Sequence, residues 1–331
     1  MTQIRSRTVA VVVTHNRLPQ LQRTLKALLD CEEESLAAII VIDNDSTDGT
    51  AAWLTSQLGG RLHVETLSEN RGGAGGFAFG MQYARELFDP DWIVVMDDDA
   101  RPEVGALQTF NDLVTLGKLD GIDGVAAAVR HPDGKICRMN RPTVNPFWHV
   151  GVFFRTLAGG GRAAFHLTDQ DFDTSDLCPI DGASFVGLFL SRRAIDLAGY
   201  PDPALFLYAD DAIFTMTLTR RGGRMLFAPE VRFEHDTTAL AGGGAVTPIW
   251  KAYYYHRNRL LLYRLAAGAT FWLFLPILLW RWPRLANQYP PEERAIFRRL
   301  IWRAFRDAIS RDLSLDHASV LSLASGLYRR R

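Results

Sequence analysis

The chain reads as an α/β protein with a mostly parallel central sheet flanked by helices and a C-terminal helical appendage. Three observations predict this. Apolar runs of strand length alternate with helical patterns through the first hundred or so residues, and that βαβαβαβ order builds a parallel, right-handed sheet covered on both faces. The runs end in polar residues, so residues 14–17, Asp43 and the triplet Asp97, Asp98 and Asp99 fall at carboxyl ends of strands, where such sheets bind ligands. From Pro248 onward the chain turns helical, basic and aromatic.

Taken in order, residues 8–13 (Thr-Val-Ala-Val-Val-Val) form a buried strand, and Leu18, Leu21, Leu25, Leu28 and Leu29 then share one helical face. Residues 38–42 are a second strand ending at Asp43. Residues 46–50 (Ser-Thr-Asp-Gly-Thr) are a capping segment that opens a helix over about 51–58. A third strand covers 62–67, a helix covers 76–88 with Phe77, Met81, Ala84 and Phe88 inward, and a strand covers 92–96. Another helix is expected from about Pro102. Residues 130–178, rich in Gly, Pro and Asn, read as loops around short strands. Residues 184–190 form a buried strand followed by a helix from Arg192; a helix covers 210–221; short strands cover 224–227 and 231–233.

With 331 residues, 47% hydrophobic and 22% charged, the chain suits one large α/β domain plus an appendage and is not disordered. The expected division is 1–250 for the α/β body and 251–331 for the helical remainder. Cys31, Cys137 and Cys178 form no CxxC pair, which points to free thiols in a reducing compartment and away from disulfides or zinc. The opening Met-Thr-Gln-Ile-Arg runs straight into a strand pattern without a signal peptide, so a cytoplasmic location is expected. A net charge of zero conceals a split: residues 251–331 carry 15 Lys/Arg against 5 Asp/Glu, a balance of +10 beside a body at −10. Such a tail suits an anionic partner.

The aspartate triplet carries the chemistry. Read alone it is a solvated acidic turn; at the end of a buried strand, three carboxylates repel unless a cation sits among them, and oxygen ligands suit Mg²⁺ or Mn²⁺. A dinucleotide-binding oxidoreductase would place GxGxxG after the first strand, where this chain has Thr14-His-Asn-Arg17. Its glycines, Gly72-Gly-Ala-Gly-Gly76, come later, either as a turn or as a loop that packs against a nucleotide or sugar and opens a helix favourable to phosphate. Arg71 beside them suits a pyrophosphate or base contact. Asp210 and Asp211 start a helix, where one is accounted for by capping and the other can act as general base. His235 is either a satisfied surface histidine or a third metal ligand. A metal, a nucleotide crevice and a carboxylate base together describe transfer of a sugar from a nucleotide donor with inversion. A nucleotidyltransferase would commonly hold its nucleotide in a glycine loop after the first strand, and none is there.

At this point the chain resembles the inverting family 2 glycosyltransferases of GT-A (Rossmann-like) fold, from about residue 8 to 260. Six motifs occur in order: Val11-Val-Val-Thr-His-Asn-Arg17, Val41-Ile-Asp-Asn-Asp-Ser-Thr-Asp-Gly-Thr50, Asp97-Asp-Asp99 in the place of the DxD motif, Ile180-Asp-Gly-Ala-Ser184, Tyr208-Ala-Asp-Asp211 and His235. The resemblance implies nucleotide-sugar contacts at Thr14, Asn16, Arg17, Asp43, Asn70, Arg71, Gly72, Gly73, Asp97 and Asp98, with Asp43 at the nucleobase. It implies Mn²⁺ or Mg²⁺ at Asp97, Asp99 and His235, a sugar and acceptor site at Asp181, Gly182 and Ala183, and Asp211, with Asp210, as the catalytic pair. Asp98 is expected to matter least of the triplet. Residues 70–77 with the triplet are most similar to bacterial galactofuranosyltransferases, which implies UDP-galactofuranose as donor. The Tyr253-Tyr-Tyr-His-Arg-Asn-Arg259 segment is shared with rhamnosyltransferases, which makes dTDP-rhamnose the alternative. Ile213 stands where many members have another Asp, and the QxxRW motif of processive synthases is missing, so addition of one or a few sugars is expected. A catalytically silent glycan-binding or assembly subunit on the same fold is the rival from another class.

In the appendage, 16 uncharged residues lie between Arg264 and Arg281, interrupted by Pro276, short of the roughly 20 that a membrane span needs. Trp272, Trp280 and Trp282 with Arg281 and Arg284 read as an interfacial anchor, and Arg294, Arg298, Arg299, Arg303 and Arg306 as a face toward anionic headgroups. The alternative is a buried helical subdomain or homo-oligomer interface. Nucleic acid is not expected. The expectation is a peripheral protein on the inner face of the cell membrane, acting on a polyprenyl-diphosphate-linked saccharide in cell-wall or surface glycan synthesis.

Overall fold

The computed structural model describes residues 7–237 and 245–325; the opening pentapeptide and the last arginines of the tail lie outside them. The strands are β1 (Thr8–Thr14), β2 (Ala38–Asp43), β3 (Leu62–Thr66), β4 (Trp92–Asp97), β5 (Ala100–Pro102), β6 (Gly124–Arg130), β7 (Cys178–Ile180), β8 (Leu188–Ser191) and β9 (Met225–His235). They form one sheet in the order β3-β2-β1-β4-β8-β6-β9-β5, with β7 also on β9. The block β3-β2-β1-β4 is parallel, β8 runs antiparallel between β4 and β6, and β6 pairs with β9 in parallel.

Alternate residues of β1 enter opposite core layers, Ala10 and Val12 on one face and Val9, Val11 and Val13 on the other. The first layer is closed by α1 (Leu18–Leu29), α2 (Thr50–Gln57) and α4 (Ala106–Thr115), the second by α3 (Gly72–Phe88), α6 (Arg192–Ala198) and α7 (Asp210–Arg220). Short α5 (Val150–Arg155) lies in the irregular region before β7. The tail folds as α8 (Lys251–Ala267), α9 (Phe271–Arg281), α10 (Arg294–Ser310) and α11 (His317–Ala324), around apolar clusters that include Leu260, Phe297, Ile301 and Phe305, and Phe206, Tyr253 and Leu300.

Several expectations change. No helix starts at Pro102, which lies in β5 and pairs with Phe233; the helix begins at Ala106. The strand β6, Gly-Val-Ala-Ala-Ala-Val-Arg, was not expected, because an alanine-rich run lacks a strand signature. The expected strand over 184–190 shifts to Leu188–Ser191, since Gly187 turns with φ +64. The two strands expected over 224–227 and 231–233 are one, with the extra residues around Pro229 absorbed as a bulge opposite Ala127 and Ala128. Leu29 faces solvent and not the core of α1. In α9 and beyond, Trp282 is not an anchor but is buried and stacked on Phe305 at 5.7 Å. Arg294 and Arg303 turn inward, to the Tyr289 carbonyl and the Asp307 carboxylate. Helical residues Lys251–Gln288 are together long and apolar enough to cross a membrane by length and composition, although Pro276 lies within them.

Candidate active site

Strands β1, β2 and β4 end side by side, with Thr14 opposite Asp43 and Val13 opposite Asp97 in the parallel register. β5 brings Ala100 opposite His235 on β9. This pairing, which no periodicity reveals, carries the histidine to the aspartates. Ligand atoms of Asp97, Asp99 and His235 lie within 4.8 Å of one another. His235 Nε2 is 3.1 Å from Asp99 Oδ1, while Nδ1 is 2.8 Å from Asn140 Oδ1. Asn140 Oδ1 also accepts from the Cys137 thiol at 2.9 Å, and Asn140 Nδ2 donates to Ser184 Oγ. The Asn140 oxygen therefore accepts the Nδ1 proton while Nε2–H donates to Asp99, and a cation would take the Nε2 lone pair in place of that second proton.

Electrostatics separate the three aspartates. Asp97 is pushed up to about 7 by desolvation and by Asp99, and no hydrogen bond to its carboxylate is present among the described residues. Burial pushes Asp98 up to about 6 even though Arg17 pulls it down. Its oxygens accept from Thr14 Oγ1 at 2.8 Å and Arg17 Nη1 at 3.2 Å, so Asp98 ties β4 to the end of β1. Asp99 is held low despite burial, by His235 and by Arg17 at 2.7 Å. Burial would lower the His235 value, but Asp99, Cys137 and Asp97 drive it up to about 10. Two carboxylates that lack a full set of partners, beside an imidazole whose far nitrogen is anchored, form a donor set that fits a divalent cation.

The carboxylates that open α7 are electrostatically linked to this group, for Asp211 raises Asp97 and Asp97 in turn raises Asp210. Burial pushes Asp211 up to about 6 and Asp210 well above the ordinary range. The approach to α7 is unusual: Phe206, Tyr208 and Ala209 all have positive φ (63, 70 and 57) without being glycine, a strained path that persists only where surroundings enforce it. The enforcement comes from α8. Asn258 Nδ2 donates to the carbonyls of Leu205, Leu207 and Tyr208 at 2.8–2.9 Å. Fully buried Arg257 donates to those of Ala204 (2.6 Å) and Leu205 (3.1 Å).

On the nucleotide side, Asp43 is fully buried; Oδ1 accepts from Ser46 N at 3.1 Å while Oδ2 has no partner. Such an orphan is an open position for an N–H donor. Asn44, absent from the expectations, links the motifs: it accepts from Arg71 N and donates to the Gly72 carbonyl, both at 2.9 Å. Gly72 has φ +67, and a Cβ there would lie 2.0 Å from the Phe206 carbonyl oxygen. Asn70 accepts from Gly72 N, and Arg71 is half exposed near Glu69. The glycines are not a loop but the first turns of α3. A Cβ on Gly76 or Gly80 would strike Val13 or Val11 at 2.5 Å, whereas Gly73 meets open space. Asn16 spends its amide oxygen on Thr47 N at 2.6 Å, so it positions a loop.

Asp181, Gly182 and Ala183 border α7: Ala183 N donates to Thr215 Oγ1, and Gly182 pairs with Thr143. Asp181 Oδ2 accepts from Asn145 N at 2.6 Å and lies 2.8 Å from His149 Nε2, a partner that only the tertiary fold supplies.

Known proteins share this fold. Residues 9–166 match the profile of glycosyl transferase family 2. The chain is 30% identical over 214 residues to galactofuranosyltransferase GlfT1 of Mycolicibacterium smegmatis, a match covering 64% of this chain and 65% of that protein. The crystal structure of GalNAc-T7 with UDP, GalNAc and Mn²⁺ is similar at TM-score 0.60 and 14% identity, over 97% of this chain and 58% of that one. The mannosyltransferase PcManGT of Pyrobaculum calidifontis, in complex with GDP-Man and Mn²⁺, is similar at TM-score 0.50 and 18% identity, over 98% and 81%. Residues 9–166 thus match glycosyl transferase family 2, and the chain shares its fold with solved GT-A glycosyltransferases.

Proposed function

We propose that the protein is an inverting, divalent-metal-dependent glycosyltransferase that moves a hexosyl unit, galactofuranose from UDP-galactofuranose, onto a hydroxyl of a lipid-linked saccharide. The observation that carries this reading is the grouping of Asp97, Asp99 and His235, with ligand atoms within 4.8 Å of one another, at the carboxyl ends of the parallel strands. Asp97, Asp99 and His235 would hold the cation, and a mixed oxygen and imidazole set favours Mn²⁺ over Mg²⁺. When bound, the cation neutralises charge on the departing diphosphate. The Asp43 orphan oxygen suits the imide N–H that uracil and thymine both present. Asp211 takes the proton of the acceptor hydroxyl. That oxygen forms its bond to the anomeric carbon on the face opposite the diphosphate, which leaves with the electron pair of the broken bond, so the centre inverts.

Residues 1–250 serve as donor-binding and catalytic unit, and 251–331 as the membrane-side region of a peripheral protein on the inner leaflet. The acceptor is a polyprenyl-diphosphate saccharide of cell-wall or surface glycan synthesis. Similarity to GlfT1 supports the galactofuranosyl choice. A panel of nucleotide sugars, read by Mn²⁺-dependent hydrolysis and thermal shift, tests it, since ligand binding raises apparent stability. UDP-galactofuranose should stand out. A response to dTDP-rhamnose alone would replace the donor, and binding without any turnover toward saccharide acceptors would favour a silent glycan-binding subunit.

A further inference from the structure

Outside the crevice, one surface is conspicuous for its chemistry. On α9, Leu273, Ile277 and Trp280 face solvent; on and just after α5, so do Val150, Phe154 and Leu157. All six expose between 51% and 74% of their surface. The two patches meet, because the Phe147 ring before α5 lies 6.1 Å from the Phe274 ring of α9. A contiguous apolar surface of this size is not ordinary for a water-facing region. Its charge is equally one-sided. Residues 142–168 contain Arg155 and Arg162 and no Asp or Glu; residues 245–291 contain six Lys/Arg and no Asp or Glu. Arg155, Arg162, Arg281 and Arg284 are exposed at the borders, and the Arg284 guanidinium sits 4.0 Å from the centroid of the Trp280 ring. Apolar side chains on two segments that carry cations and no carboxylate complement an anionic headgroup layer over acyl chains.

We infer that the α5 segment and α9 form one bilayer-docking surface, and that it is coupled to the acceptor end of the site. The coupling is a bonded path: Asn145 donates through its backbone N to Asp181 and through Nδ2 to the Ala266 carbonyl, at the junction that leads into α9. His149, one residue before α5, contacts the same Asp181 oxygen. A docked membrane therefore lies next to Asp181, and the saccharide of a lipid-anchored acceptor meets the crevice from that side. This rests on the glycosyl-transfer reading for the identity of the acceptor, but the docking itself does not.

The test is co-sedimentation of the full chain with sucrose-loaded vesicles, of phosphatidylcholine with phosphatidylglycerol or of phosphatidylcholine alone. The paired variants are Val150→Asp with Phe154→Asp on α5, and Leu273→Asp with Ile277→Asp on α9. The parent should sediment preferentially with the anionic vesicles, and each pair should weaken partitioning at least about tenfold. Thermal shift by UDP and Mn²⁺ without vesicles should stay at the parent's value, which shows that the variants fold. Unchanged partitioning of the α5 pair would overturn the composite surface. So would a parent that ignores vesicles, including one that is a dimer by light scattering and becomes a monomer in the α5 pair, since the face would then belong to a second copy. Failure of all metal-dependent donor hydrolysis in vesicle-free buffer, with vesicle binding intact, would sink the transferase reading and support docking as an independent property.

Discussion

At Asp211 the folded state keeps a carboxyl titrating at about 6, above the ordinary carboxylate value, because burial penalises its charge. The folded protein therefore holds a proton between the two values that the unfolded chain has released, and this contribution to stability declines as pH rises through about 6. At neutral pH the ionised group costs stability, while a base must be ionised to work. Asp211→Asn is accordingly expected to lower turnover by roughly 10²–10⁴, yet to melt higher than the parent at pH 7–8, with the difference vanishing below about pH 4. Parallel melting curves and initial rates check this. His235 shifts in the same direction over a higher pH window: its folded value is raised to about 10, so the stability from its cationic form is complete below its unfolded value and is lost as pH rises through about 10. A metal ion must displace that proton. Apparent Mn²⁺ affinity by calorimetry should climb about tenfold per pH unit between pH 7 and 9, and a flat profile would remove His235 from the ligand set. The grouping of Asp97 and Asp99 with His235 was legible in the sequence as a succession of charged residues that follow strands. Asn140, Asn44 and His149 were not legible, because each acts through an approach made only in the fold. Asp98, expected to matter least, joins β4 to Thr14 and Arg17.

Elements with one strong signal were readable: β-branched strands buried on both faces, and helices whose leucines recur at the helical period. Weak or mixed signals misled. The alanines of β6 carry no strand preference, Pro229 split β9 on paper although a bulge absorbs it, and the glycines opening α3 looked like a loop when they serve close packing on β1. In sequence the Arg257–Asn258 pair stands out only within the Tyr253–Arg259 segment, and its physical use is to hold the strained turn ahead of α7. Asn258→Ala leaves buried carbonyls of that turn without their donor, at about 1–3 kcal/mol for each group left unsatisfied. With Asp211 in the base role proposed for it, two residues after the last positive-φ position of that turn, the expected result is a fall in kcat on the order of 10²-fold with donor KM nearly unchanged. Steady-state kinetics in vesicle-free buffer decide it, and a loss confined to donor KM would show that α8 serves the nucleotide side instead.

Across the whole molecule the tail shares a core with the turn ahead of α7, which changes how the proposed membrane docking should be probed. Tyr253 on α8 donates to Asp307 on α10 at 2.6 Å, and Asp307 also accepts from Arg303. Phe206, from the turn ahead of α7, shares a core with Tyr254, Leu300 and Val320. Deleting residues 265–331 would strip α8 of the helices that bury it, expose Phe206 and Tyr254, and leave Arg257 without its cover. Each large side chain so exposed forfeits about 1.5–3 kcal/mol, enough in sum to exhaust a typical domain's stability. The truncated chain is therefore expected to aggregate or melt far below the parent and to lose donor hydrolysis even without a membrane, while the paired surface variants of α5 and α9 keep it. Melting temperature, solubility and vesicle-free hydrolysis of the truncation and the surface variants, compared side by side, settle the matter. A truncation that stays folded and active would mean that α9, α10 and α11 serve attachment alone, and that the turn before α7 holds its shape from within residues 7–264.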